Sequence, residues 1–253
     1  MHNCIVLGSG RSGTSMTSGI FAKTGYFMGH SLYEGDEGNP KGYFEDVEIN
    51  SINEDLIAKV FPYRPSGILG KTLFRSRMTW GQRWLAEVPI GTNITCTPQI
   101  EKRIKELTDR SPFCFKDPRF CYTLPSWRKF LRDTVFLCVF RHPAATASSI
   151  LTICMNESYL KSLPMNVEKA MHIWELMYSH VLEVHSKEGE WIFAHYNQFL
   201  DGSVFDKLER MLDVSIDREF IDPKLKRSLP EGDVPGTTMD LYHRLCVLAG
   251  YKE

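Results

Sequence analysis

The sequence predicts an α/β protein with three α/β/α layers around a mainly parallel central sheet. Two observations lead to this. Short apolar runs at residues 4–7, 113–115, 134–140 and 191–194 alternate with longer segments of helical period, the order that builds a parallel sheet with helical crossovers. The first run breaks into a glycine-rich turn that opens a helix, the layout of phosphate-binding strand–turn–helix units. At 253 residues, a single domain spanning 1–253 accommodates the whole pattern.

Cys4, Ile5, Val6 and Leu7 are all apolar and read as a buried parallel strand. Gly8-Ser9-Gly10-Arg11-Ser12-Gly13 follows, then a helix with Met16, Ile20 and Phe21 at helical spacing and Gly25 in the place of a C-terminal cap. The glycines let the backbone approach an anion, Arg11 adds charge, and Ser12, Thr14 and Ser15 add hydroxyl donors. A Walker A loop reads G-x-x-x-x-G-K-[ST]. Gly8 and Gly13 keep that spacing, but Thr14 stands at the lysine position and the cation has moved back to Arg11. The loop therefore suits one phosphate and its attached group better than a nucleoside triphosphate with magnesium. The plain alternative is an ordinary tight strand–helix turn.

Tyr26–Gly29 reads as a short second strand. Residues 30–46 are polar, glycine-rich and too long for a simple connector, as functional loops often are. Val47, Ile49, Ile52, Leu56, Ile57 and Val60 give residues 45–60 a mostly helical period. Residues 61–97 have the weakest pattern; their aromatics mix with Arg64, Lys71, Arg75 and Arg77. That mixture suits either an acceptor-binding wall built by residues 30–97 or a core satellite with a solvated face. Pro98 opens a surface helix running to about residue 110. Phe113–Phe115 is a strand ending in Lys116-Asp117-Pro118-Arg119, and residues 134–140 form a strand closed by Arg141-His142. Pro143 starts a helix to about Met155, and residues 166–185 form another. Strand Trp191–Ala194 leads to Tyr196; helices at 203–213 and Leu241–Leu248 complete the chain. Ligands of parallel sheets sit at the carboxyl ends of the strands, so Arg11, Lys116 and Arg141 can converge.

A net charge of −1 excludes a general binder of nucleic acid or anionic membranes; any positive potential is local. Seven cysteines are scattered without a C-x-x-C, which fits a reducing cytoplasm. The first strand begins almost at Met1 and no apolar run approaches transmembrane length, so a cytoplasmic location is expected. Asn93-Ile94-Thr95 and Asn156-Glu157-Ser158 match the glycosylation acceptor pattern by chance on that reading. No Asp, His and Cys cluster suggests a metal.

Together these residues resemble the sulfotransferase family over roughly residues 3–200. Arg11-Ser12-Gly13-Thr14-Ser15 is similar to the family's 5′-phosphosulfate loop, in which Lys or Arg precedes S-G-T/S-T/S. Arg141 with Ser149 resembles its 3′-phosphate site, an arginine ending a strand and a serine in the next helix. Asn39–Glu45 and Lys116–Arg119 are similar to segments of bacterial members, and Tyr196 falls where the family's Tyr-Glu-Asp-Leu segment lies near adenine. The resemblance implies a P-loop NTPase-like sulfotransferase fold. It implies the donor 3′-phosphoadenosine 5′-phosphosulfate, bound through Arg11, Ser12, Gly13, Thr14, Ser15, Arg141, Ser149 and Tyr196 without a metal. The reaction implied is in-line sulfuryl transfer to a hydroxyl or amine of a small-molecule, carbohydrate or natural-product acceptor, with Arg11, Glu45 and Lys116 catalytic.

Two departures stand out. Pro118 occupies the place of the histidine base found two residues after the strand-end lysine in cytosolic members. The C-terminal glycine-rich loop that grips the 3′-phosphate is missing; Lys224, Lys226 and Arg227 either substitute or form a solvated face. Glu45 is the chosen base, against the alternative that it favours the N-terminus of the following helix. Asp46, Glu34, Glu37 and His30 are further candidates. Lys116 either stabilises the transferring group or pairs with Asp117, and His142 either orients the phosphate site or faces solvent. A P-loop kinase or NTPase using magnesium-ATP, and a non-catalytic nucleotide-binding module, are the competing readings.

Overall fold

The computed structural model describes residues 1–35, 41–221 and 232–253. Strands β1 (Asn3–Leu7), β2 (Cys114–Lys116), β3 (Thr134–Phe140) and β4 (Glu190–His195) form one parallel sheet in the order β2-β1-β3-β4. Both faces are covered, so most strand residues are apolar, and successive side chains feed separate cores. Ile5, Phe115, Phe136, Cys138 and Phe140 face one core; Cys4, Val6, Leu137, Val139 and Ile192 face the other.

The helices are α1 (Thr14–Gly19), α2 (Val47–Ile57), α3 (Gly67–Thr72), α4 (Pro98–Thr108), α5 (Phe120–Arg128), α6 (Pro143–Asn156), α7 (Val167–His180), α8 (Tyr196–Leu200), α9 (Phe205–Leu212) and α10 (Gly236–Ala249). Ile52, Ile104, Trp127, Ile150, Trp174 and Tyr242 bring α2, α4, α5, α6, α7 and α10 onto the first core. Phe21, Phe199 and Leu208 bring the segment after α1, α8 and α9 onto the second. The result is the expected three-layer sandwich. Chain direction reverses beside β1: the path from β1 to β2 runs one way, and β3 and β4 are added on the other side. The crevice at the carboxyl ends of β1 and β3 is the usual ligand position of such a sheet.

Several elements differ from expectation. The helix after the glycine loop ends at Gly19, and turns carry the chain to Gly25. Tyr26–Gly29 is not a strand. Phe27 makes one bridge, to Phe113, before the chain leaves to bring the Ser31 N–H onto the Asp46 carboxylate. Helix α5 was not foreseen because Pro125 lies inside it. Proline has no N–H for the carbonyl four residues back; here the Cys121 carbonyl accepts from His185 Nε2 at 2.9 Å instead. Residues 61–97 hold α3 and a single 3-10 turn at Arg83–Leu85, and α7 continues into a wider turn at Val181–His185. The C-terminal helix starts at Gly236 rather than Leu241. Among the described residues no helix is long and apolar enough to cross a membrane.

Candidate functional site

The end of β1 dictates the shape of the glycine loop. Gly8 has φ +145° and lies so close to β3 that a Cβ would stand 2.1 Å from the Val139 carbonyl oxygen, so only glycine fits. The Tyr178 hydroxyl fastens the loop: it lies 3.0 Å from the Ser9 N–H, 2.7 Å from the Val139 carbonyl and 3.1 Å from the Ser12 hydroxyl. Ser12 is fully buried, with its hydroxyl turned toward Tyr178 and Thr146. Its side chain therefore shapes the loop rather than facing the cavity. Gly13, at φ +97°, begins α1, and no side chain caps the first turn. Arg11 sits at φ +70°, a left-handed conformation that costs a non-glycine residue on the order of 1–3 kcal/mol and persists where surroundings enforce it. Its Nε donates to Ser149 Oγ on α6 at 3.1 Å.

The ends of β3 and β4 complete this cluster. Arg141, directly after β3, places its guanidinium 4.7 Å from the ring centre of Tyr196, the first residue of α8. A Cβ on Gly13 would stand 2.5 Å from Tyr196 Cδ2, so loop, ring and guanidinium form one stack. Burial holds Arg141 below the usual guanidinium range; Tyr196 opposes this and the charge on Arg11 adds to it. Burial likewise pushes the Tyr196 hydroxyl up. Ser149 is thus bonded to Arg11, while Arg141 rests on Tyr196. Two guanidiniums near enough to repel each other, beside a helix turn without a side-chain cap, are an arrangement that an anion stabilises. His142 packs its ring edge-on against Tyr242 at 5.1 Å. Burial holds its pKa below the ordinary imidazole value; Glu253 works against this and Arg141 adds to it.

The end of β2 carries the second half of the site. Lys116 is 2% exposed and its ammonium donates to Ser15 Oγ (2.9 Å), to the Tyr43 carbonyl (3.1 Å) and to the Glu45 carboxylate. It does not pair with Asp117. Asp46, not Glu45, caps α2, accepting from Ser31, Glu48 and Ile49 N–H groups at 2.8, 3.0 and 3.1 Å. Asp46 is buried in that capping role and is absent from the cavity lining. His30 packs against Phe27 with ring centres 5.0 Å apart and is absent from the cavity lining, whereas Glu34 lines it. Glu37, Asn39, Lys224, Lys226 and Arg227 lie outside the described residues.

A cavity of about 410 Å³ opens over these groups. Arg11, Thr14, Ser15, Glu45 and Lys116 form its polar end, and Tyr33, Tyr43, Trp80, Trp84 and Tyr159 its aromatic walls. Four of the five aromatic side chains come from residues 30–97, and Tyr159 comes from beyond them. Among the described residues no three His, Cys, Asp or Glu side chains gather as a metal site.

Beneath the cavity lies a buried charged network that sequence reasoning missed. Glu54, wholly buried, accepts from the Arg83 backbone N–H (3.0 Å), Arg83 Nη1 (2.9 Å) and Arg119 Nε (2.9 Å). Asp117 accepts from Arg119 Nη1 and from the Asn50 and Asn53 amides, each at 3.0 Å. Asn50, Asn53 and Glu54 sit at i, i+3 and i+4 on α2, a polar stripe beside the apolar one. That spacing was the available signal. Because Asp117 and Arg119 lie one and three residues after Lys116, the network anchors the strand end that presents the lysine.

No family model and no curated protein matches the chain. Among solved structures it is similar to the sulfotransferase domain from the Synechococcus PCC 7002 olefin synthase, with TM-score 0.54 and 15% identity over 99% of this chain and 95% of that one. It is also similar to the sulfotransferase domain from the curacin biosynthetic pathway, with TM-score 0.54 and 14% identity over 99% of this chain and 98% of that one. The chain therefore has the P-loop-like α/β fold of sulfotransferase domains over nearly its whole length.

Proposed function

We propose that this protein is a sulfotransferase that uses 3′-phosphoadenosine 5′-phosphosulfate to sulfate a hydroxyl on a small, largely apolar or aromatic acceptor. The observation that carries this reading is the Lys116 ammonium, bonded at once to Ser15 of the glycine loop and to Glu45 in the aromatic-walled cavity. The donor supplies an activated sulfuryl group on a nucleotide leaving group. Arg11 and the uncapped first turn of α1 hold its 5′ end, Arg141 and Ser149 its 3′-phosphate, and Tyr196 offers a ring face for the base. Thr14, in place of the Walker lysine, favours this donor over a nucleoside triphosphate.

Glu45 takes the proton of the acceptor hydroxyl. Lys116 neutralises the charge that grows as the bond to the leaving group breaks, a task fixed cations do best when water is excluded. The aromatic walls exclude that water and orient the acceptor. Sulfated product, followed by mass spectrometry with a panel of phenols, aliphatic alcohols and sugars, tests the reading. Transfer to the apolar and aromatic alcohols, lost in Arg11→Ala while its circular dichroism spectrum is kept, is the expected result. Turnover of magnesium-ATP with none of the phosphosulfate donor would replace it with the kinase reading.

A further inference from the structure

The near-zero net charge hides a local imbalance. From Ala58 to Ala86 there is no acidic residue, while Lys59, Arg64, Lys71, Arg75, Arg77 and Arg83 are all basic. Arg83 is held in the buried network, and Arg64 donates to the carbonyls of Arg75 and Arg77. Arg75 and Arg77 are exposed. In the same stretch α3 and the residue that closes it, Leu73, raise three aliphatic side chains clear of the surface: Ile68 is 82% exposed, Leu69 52% and Leu73 74%. At helical spacing the three share one side of the turn. Exposed aliphatics are normally scattered singly; a cluster marks an interaction site. Trp80 is 49% exposed, three residues beyond Arg77, and lines the acceptor cavity.

Side chains this exposed form a projection, not a groove, and a projection does not receive a partner helix. Aliphatic knobs, arginines beside them and an indole at the edge are the composition of segments that lie in the interface of an anionic bilayer. We propose that residues 66–80 dock onto an anionic lipid surface. Resting on the reading of the cavity as an acceptor site, the acceptor is then a membrane-dissolved amphiphilic alcohol that enters past Trp80.

The test is sedimentation of the full chain with phosphatidylcholine vesicles, with and without phosphatidylserine. Binding to the phosphatidylserine vesicles, weakened by salt, is expected. One basic residue near an anionic surface is worth about fivefold in partitioning, so Arg75→Glu should weaken binding by about tenfold or more. Ile68→Asp with Leu73→Asp should abolish it, with nucleotide binding unchanged as proof of folding. No sedimentation with either vesicle, or sedimentation indifferent to both variants, would overturn the proposal. Capture of an acidic amphipathic peptide in place of vesicles would overturn it in favour of a protein partner. Vesicle binding is read without donor, so it stands or falls apart from sulfuryl transfer. If vesicles bind and soluble phenols are sulfated while a vesicle-borne sterol is not, the acceptor assignment is overturned.

Discussion

Glu54→Gln should be among the most damaging isosteric changes in this protein. The carboxylate is wholly buried and neutralises two buried guanidiniums, with Arg83 Nη1 and Arg119 Nε each 2.9 Å away. Glutamine keeps the shape but removes the charge and turns an amide toward groups that can only donate. Asp117 is then the remaining carboxylate against Arg83 and Arg119 in the network. Two charge-assisted bonds at about 1.5–3 kcal/mol each give a loss of about 3–6 kcal/mol, in line with the roughly 3–5 kcal/mol measured when one partner of a buried ion pair is removed. Against a total stability of about 5–15 kcal/mol this is a large fraction, and it corresponds to a Tm drop of roughly 6–24 °C. Urea unfolding followed by tryptophan fluorescence reads it directly, since Trp127 Nε1 is bonded to Asn53 in the same network. Asp109→Ala, which breaks the exposed Lys105–Asp109 pair on α4, is the control and should cost about 0.5 kcal/mol or less. A Glu54→Gln loss as small as the control's would refute the claim that this network holds the strand end carrying Lys116.

Three further outcomes follow from the site and its supports. Glu45→Gln should lower kcat by about 10²–10⁴-fold while nucleotide affinity stays near wild type, as general-base loss does; an unchanged kcat would remove Glu45 from that role. Gly13→Ala should weaken nucleotide binding, because the new Cβ meets Tyr196 at 2.5 Å and φ +97° is strained for alanine; unchanged affinity by calorimetry would show that the loop–Tyr196–Arg141 stack does not matter for binding. Burial lowers His185 from 6.5 to about 4, so the unfolded chain takes up a proton that the folded one refuses. Its stabilising contribution is complete above about pH 6.5 and is lost as pH falls toward 4, amounting to about 2 kcal/mol by pH 5. Denaturation midpoints across that range, flattened in His185→Gln, check it.

The strands and the glycine loop were legible because their physics is local. Residues 4–7 and 134–140 are buried on both faces, so their apolar runs are continuous, and Arg11, Lys116, Arg141 and Tyr196 could be placed from the strand ends alone. Residues satisfied from far along the chain could not. Pro125 argues against a helix until His185 is seen on the Cys121 carbonyl, and Arg83 looks like a surface cation until Glu54 is found beneath it. The choice between Glu45 and Asp46 is of the same kind. Both precede α2, and only the folded chain shows Asp46 capping the helix while Glu45 turns to Lys116.

Calorimetric titration with 3′-phosphoadenosine 5′-phosphate, without added metal, tests the central claim most directly. The account predicts saturable metal-free binding that Arg141→Ala abolishes and Glu45→Gln leaves intact. Binding of magnesium-ATP with no response to the bisphosphate would contradict it.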